Sequence, residues 1–204
     1  MDRSSGAIEN GWCTVGQLGV LSKSQVDDAL RDLAQGEGVA RVQASRLLST
    51  DPATSPELLG LLDGESRADV RHAILYALSW HDNLGIWKRM VGILSDRSEA
   101  SKVRGQAAEY LSYLFHRVSF ASDDFKSAVD ALLESLTDPS PEVRYCAVNA
   151  LGSTGYPPLL PALERMCSDQ TPVPGWVGTV SDEASQAIET LESISASRKC
   201  ESKQ

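Results

Sequence analysis

The chain has 204 residues, 42% of them hydrophobic, which is length for one domain or a handful of stacked repeats and excludes global disorder. Its 28 acidic and 19 basic residues leave a formal net charge of -9, so phosphate backbones repel it and nucleic acid is not an expected partner. No stretch reaches the roughly 20 apolar residues of a bilayer span.

In chain order, residues 1–20 mix Asp2, Arg3, Glu9 and Asn10 with small residues and lack the basic-then-apolar order of a signal peptide, so a loose N-terminus is expected. Cys13, Cys146, Cys167 and Cys200 form no Cys-x-x-Cys pair, which argues against a zinc knuckle or disulfide framework and suits a reducing cytoplasm. Residues 22–35 place Val26, Ala29, Leu30 and Leu33 on one face, a capping helix closed by Gly36 and Gly38.

From Ala40 onward the chain repeats itself. Four ten-residue segments begin at Ala40, Val70, Val103 and Val143, each with Arg second, Leu ninth and Ser or Gly tenth. The arginines, Arg41, Arg71, Arg104 and Arg144, recur at intervals of 30, 33 and 40 residues, the mark of a repeat array. A degenerate fifth copy from Glu183 keeps Ala187 and Leu191 but has Ala184 in place of the arginine. Apolar or small residues at the first, fifth, eighth and ninth positions give helical spacing, and the alanines permit close helix approach.

Between copies lie second apolar helices: a short one over 56–62, then 82–95, 123–137 and 157–168, the last opened by Pro157 and Pro158. Each unit is a helical hairpin that must stack to bury its apolar face. Residues 170–180, with Pro172, Pro174, Gly175 and Gly178, read as a long inserted loop, and 197–204 as a loose tail.

Asp63, Asp96 and Asp138 follow the second helices, five to seven residues before the next valine. The resulting unit, Asp … Val-Arg-x-x-Ala-x-x-x-Leu-Gly/Ser, resembles the HEAT repeat family in its short bacterial form over residues 39–192. The resemblance implies an all-α, right-handed α-solenoid of about five HEAT-like hairpins, near 39–63, 68–96, 101–138, 141–169 and 181–195, in a single domain over 21–196. It also implies that Asp63, Asp96 and Asp138 bond across repeats to Arg71, Arg104 and Arg144 as a structural ladder.

No catalytic, cofactor or metal site is expected. The three histidines lie on different repeats or turns, and Ser79, His81 and Asp82 are neighbours in a turn without a nucleophile elbow. Asp82 or Asn83 reads instead as a helix cap. Partner contacts are expected on two surfaces. The second helices, taken to line the concave face in this family, expose Lys88 and Arg89, Asp130 and Glu134, then Glu164 and Arg165. The third and seventh repeat positions, away from the apolar face, carry Tyr76 and Tyr145; Trp176, in the inserted loop, is expected to close the last repeat's core.

The expected function is non-catalytic protein binding by a cytoplasmic protein, monomeric when free, whose partner is a basic protein. An immunity or inhibitor protein that neutralises a toxin fits, as does a scaffold or assembly factor. Bilin lyase subunits are similar to this repeat and imply chromophore handling. The alkylpurine DNA glycosylases built from HEAT-like repeats need a cationic groove, which the net charge opposes.

Overall fold

The computed structural model describes residues 20–201, in ten α-helices joined by turns and, before the last helix, by the loop over 167–179. They are α1 (Lys23–Gln35), α2 (Val39–Leu48), α3 (Ser55–Gly64), α4 (Ala68–Ser79), α5 (Trp87–Ser95), α6 (Ser101–Leu114), α7 (Asp123–Ser135), α8 (Pro141–Ser153), α9 (Leu160–Met166) and α10 (Val180–Glu201). Strands are absent among the described residues, apart from an isolated bridge between Pro172 and Thr179. The expected loose segment over 1–20 lies outside the described residues, Val20 excepted, as do the last three residues of the tail.

Local chemistry sets the helix starts. Ser22 accepts from the Gln25 amide at 3.3 Å while the Gln25 side chain accepts from the Ser22 amide at 2.9 Å, a capping box for α1. Ser122 caps α7 through the Phe125 amide at 3.1 Å, and Asp123 and Asp124 complement the N-terminal dipole. Three second helices are entered through a 3-10 turn, at Pro52–Thr54, Leu84–Ile86 and Pro157–Leu159. The first two turns are capped by Asp51 (to the Ala53 amide, 3.0 Å) and Asn83 (to the Gly85 amide, 2.9 Å). Asp82 is not a cap. It takes a positive φ of 47°, and its carbonyl and carboxylate both accept from Arg117, at 2.8 and 2.6 Å.

The first helices α2, α4, α6, α8 and α10 pack side by side in one layer, with α3, α5, α7 and α9 behind them and α1 against α2. The fold is an all-α solenoid. Small residues set the layer spacing: a Cβ on Gly152 would come 2.7 Å from the Ala187 backbone of α10. One continuous apolar core runs between the layers from Leu33 to Leu191. At the C-terminal half it contains an aromatic cluster in which Phe115 and Phe125 sit 5.7 Å apart and Trp87 donates from its indole to the Asp124 carbonyl at 3.0 Å.

The arginine ladder exists, but two of its three expected acids are different residues. Of the three acids only Asp138 takes part, bonded to Arg104 with both side chains buried. Arg71 instead pairs with Glu99 at 2.6 Å, Arg144 with Asp169 at 2.7 Å, and Arg41 with Asp69. Each guanidinium also donates to carbonyls that end the preceding unit: Leu33 for Arg41, Leu62 and Glu65 for Arg71, Glu99 for Arg104, Asp138 for Arg144. Asp96 is spent on its own turn, accepting from the Ser98 amide and hydroxyl at 2.9 and 2.6 Å, which lowers its carboxyl pKa. Asp63 points outward and meets Arg89 at 2.6 Å. The connecting loops differ in length, so the acid that reaches each guanidinium sits at a different offset.

Candidate functional site

The first-helix layer carries the most distinctive surface of the molecule. Third and seventh repeat positions, buried Gly105 excepted, are exposed or half-buried on successive helices, and between α2 and α4 they border a recess of about 360 Å³ with Val42, Arg46, His72 and Tyr76 on its walls and Lys102 at its edge. Burial, then the charge of Lys102, lowers the His72 pKa, so the imidazole is neutral near pH 7. Beyond the recess, Tyr76 meets the edge of Trp80 (ring centroids 6.4 Å apart) and Trp80 packs on Tyr113 at 5.5 Å. Trp80 is 54% exposed and Tyr113 39%. A second recess follows between α6 and α8, bordered by Glu109, Tyr113, Tyr145, Asn149 and Trp176. One aromatic stripe thus crosses three first helices, α4, α6 and α8, and ends on the inserted loop.

Trp176 does not close the last repeat's core. It is 44% exposed and lies on Tyr145, with ring centroids 4.8 Å apart. Val173 and Val180, at the two ends of the loop, are buried in its stead. The structure therefore brings Tyr76, Tyr145 and Trp176 onto one face, with Trp80 and Tyr113 as members that the ten-residue alignment omitted. Both sit at the eleventh position, four residues after the seventh and so on the same helical face, a signal available in the sequence.

Lys88, Arg89, Asp130, Glu134, Glu164 and Arg165 lie on the other layer, on α5, α7 and α9. Lys88 is 3.7 Å from Asp124, and Arg89 is held by Asp63. Asp130, Glu134, Glu164 and Arg165 are exposed. These charges form a mixed, solvated surface, separate from the aromatic stripe.

Residues 92–174 match the family of HEAT repeats. The match runs from within α5 to the inserted loop. The structure is similar to a chain of the complex of CpcE and CpcF of phycocyanin lyase from Nostoc, with a TM-score of 0.66 and 19% sequence identity over 81% of this chain and 98% of that one. At that identity the likeness is one of fold. No curated protein matches the chain.

Polar residues of the turns serve the stack, and His81 is an example. Its Nε2 lies 2.9 Å from the Leu48 carbonyl and therefore carries the proton, and its Nδ1 accepts from the Ser55 hydroxyl at 2.8 Å. Burial lowers its pKa, against the opposing pull of the Leu48 carbonyl and Asp51. Ser79 donates to the Leu75 carbonyl at 2.8 Å, so Ser79, His81 and Asp82 have separate structural partners and form no triad. Among the described residues no group of three or more His, Cys, Asp or Glu side chains is placed to hold a metal ion, and no helix is long and apolar enough to cross a membrane.

Proposed function

We propose that this chain is a protein-binding HEAT-repeat module with no chemistry of its own, and that its aromatic first-helix face receives the partner. The observation that carries this reading is the exposed chain Tyr76–Trp80–Tyr113, continued by Tyr145–Trp176. Aromatic side chains are enriched at interface cores and hot spots. Large exposed apolar surface is disfavoured in a free-standing protein unless it meets a partner. The net charge of -9 favours a basic protein and disfavours nucleic acid.

The test is recovery of a stoichiometric partner, identification of the residues crosslinked to it, and loss of that complex in Trp80→Ala/Tyr113→Ala with helicity unchanged. An undiminished complex would overturn the assignment of this face. Within the reading, an immunity or inhibitor protein is distinguished from a scaffold by its partner's enzymatic activity, which disappears on binding in the first case and persists in the second.

A second reading, a bilin-lyase-like subunit, is supported by the similarity to a chain in the complex of CpcE and CpcF. It predicts that added bilin changes its absorbance on mixing with the chain and its protein partner. An unchanged spectrum dismisses it.

A further inference from the structure

The recess between α6 and α8 has a composition unlike the rest of the face. Tyr113, Tyr145 and Trp176 wall it, Glu109 and Asn149 supply polar atoms, and its volume is about 170 Å³, the scale of one side-chain head group. Glu109 accepts the Tyr113 hydroxyl on Oε1 at 2.7 Å, which leaves Oε2 available as an acceptor. Behind Asn149 lies Glu183, only 5% exposed, whose Oε1 accepts the Asn149 amide at 2.8 Å. Among the described residues neither Glu109 nor Glu183 is in an ion pair, and no lysine or arginine lines the recess.

Glu183 is held by hydrogen bonds from Asn149 and the Tyr145 hydroxyl, with no cation of the protein beside it. A further sign of the negative field is the Cys146 thiol at the recess floor. Burial pushes its pKa up, and the charges of Glu109, Glu142 and Glu183 add to that shift. Aromatic ring faces are themselves negative and attract cations, most strongly at Trp.

We propose that this recess is a cage for one arginine side chain of the partner protein, its guanidinium stacked against Trp176 and Tyr145 and bonded to Glu109. Arginine fits better than lysine for three reasons. Its planar head stacks on ring faces, it is less strongly hydrated than an ammonium, and its fork of donors can meet Glu109 and the Asn149 side-chain oxygen together. The proposal rests on the protein-binding reading and names the chemistry that reading leaves open: the basic partner presents an arginine at the α6–α8 end of the stripe.

The experiment uses the full chain with N-acetyl-arginine methylamide as probe, and the matching citrulline and lysine compounds as controls, followed by the indole NH of Trp176 and the side-chain NH2 of Asn149 in 1H–15N NMR spectra. The arginine probe is expected to shift both signals with saturation, and citrulline to leave them in place. Trp176→Ala and Glu109→Gln each weaken binding by about tenfold, the size of a partly desolvated cation–π contact or a lost charge-assisted hydrogen bond. Both residues lie at the surface, so circular dichroism of the two variants serves as the folding control. Absence of a shift with arginine, or an equal response to citrulline or lysine, overturns the proposal. A partner complex that survives both substitutions while Trp80→Ala, outside the recess, abolishes it refutes the cage and leaves the protein-binding reading standing. Saturable arginine binding without any protein complex does the reverse.

Discussion

Asp138→Asn tests whether the arginine ladder holds the stack. The Asp138 side chain is 2% exposed and that of Arg104, its partner, 8%. The carboxylate also accepts from the Ser140 amide at 2.9 Å, opening the turn into α8. Asparagine keeps the shape and that acceptor but removes the charge, leaving a buried guanidinium whose other bond is to the Glu99 carbonyl at 3.1 Å. Breaking one side of a buried pair costs about 3–5 kcal/mol. Asp63→Asn is the control: its pair with Arg89 has side chains 69% and 33% exposed and contributes about 0–1 kcal/mol. Urea unfolding followed by circular dichroism at the helix band should give a much lower midpoint for Asp138→Asn than for Asp63→Asn. Arg104→Met/Asp138→Asn, which removes both charges and keeps the turn acceptor, should recover most of the loss. The pH dependence has a definite sign. Burial alone would raise the Asp138 pKa, but the hydrogen bonds from Arg104 and Ser140 and the charges of Arg104 and Arg97 outweigh it and hold the carboxyl below its ordinary range. Its contribution is therefore present above the unfolded value of about 3.9 and is lost as pH falls through the folded one. Equal midpoints for the two single variants would refute the reasoning.

Four further outcomes follow from the geometry. His81 and His72 both have depressed folded pKa values, so the native state is destabilised as pH falls below the unfolded value of about 6.5; His81→Phe should flatten the slope of Tm between neutral pH and that region, with His72 supplying the remainder. The same substitution removes one of the Leu48 carbonyl's donors, the Asp51 amide and Thr54 hydroxyl remaining, and should cost about 0.5–1.5 kcal/mol in chemical unfolding. Gly152→Ala puts a methyl against the Ala187 backbone and should cost about 1–3 kcal/mol, with faster hydrogen exchange concentrated in α8 and α10. Charge reversal of Asp130 and Glu134, on the opposite layer, should leave both stability and partner affinity unchanged; weakened binding would move the interface to the second helices.

The repeat was legible because it is written locally. Arginine second and leucine ninth, with small residues between them, report helical period and close packing without any knowledge of the rest of the chain. Which acid answers each arginine was not legible, because it depends on loops of unequal length. Glu99 reaches Arg71 from three residues beyond Asp96, which is occupied by Ser98. Trp176 was misplaced for a related reason. Its neighbour is Tyr145, thirty-one positions earlier, and only the course of the inserted loop brings the two together. Trp80 and Tyr113 lie one residue past the end of the ten-residue unit, where the repeats no longer resemble one another.

The stripe shows how an array this regular can acquire a specific surface. Positions two, five and nine serve the stack and scarcely vary, whereas positions three, seven and eleven lie one helical turn apart on the free face. They read Val42, Arg46, Thr50; then His72, Tyr76, Trp80; then Gly105, Glu109, Tyr113; then Tyr145, Asn149, Ser153. The bulky aromatics are concentrated in the middle rows. The charges are sorted as well: Arg46 and Lys102 border the recess at the α2–α4 end, while Glu109 and Glu183 stand at the α6–α10 end. A partner segment lying along this face therefore meets a cationic end, an aromatic centre and an anionic end in that order. A segment with an acidic residue at one end and an arginine at the other fits in one direction, and reversing it places like charges together at both ends. On the proposed protein-binding reading, direction along the array, as well as location on it, then rests on the residues in which the repeats differ.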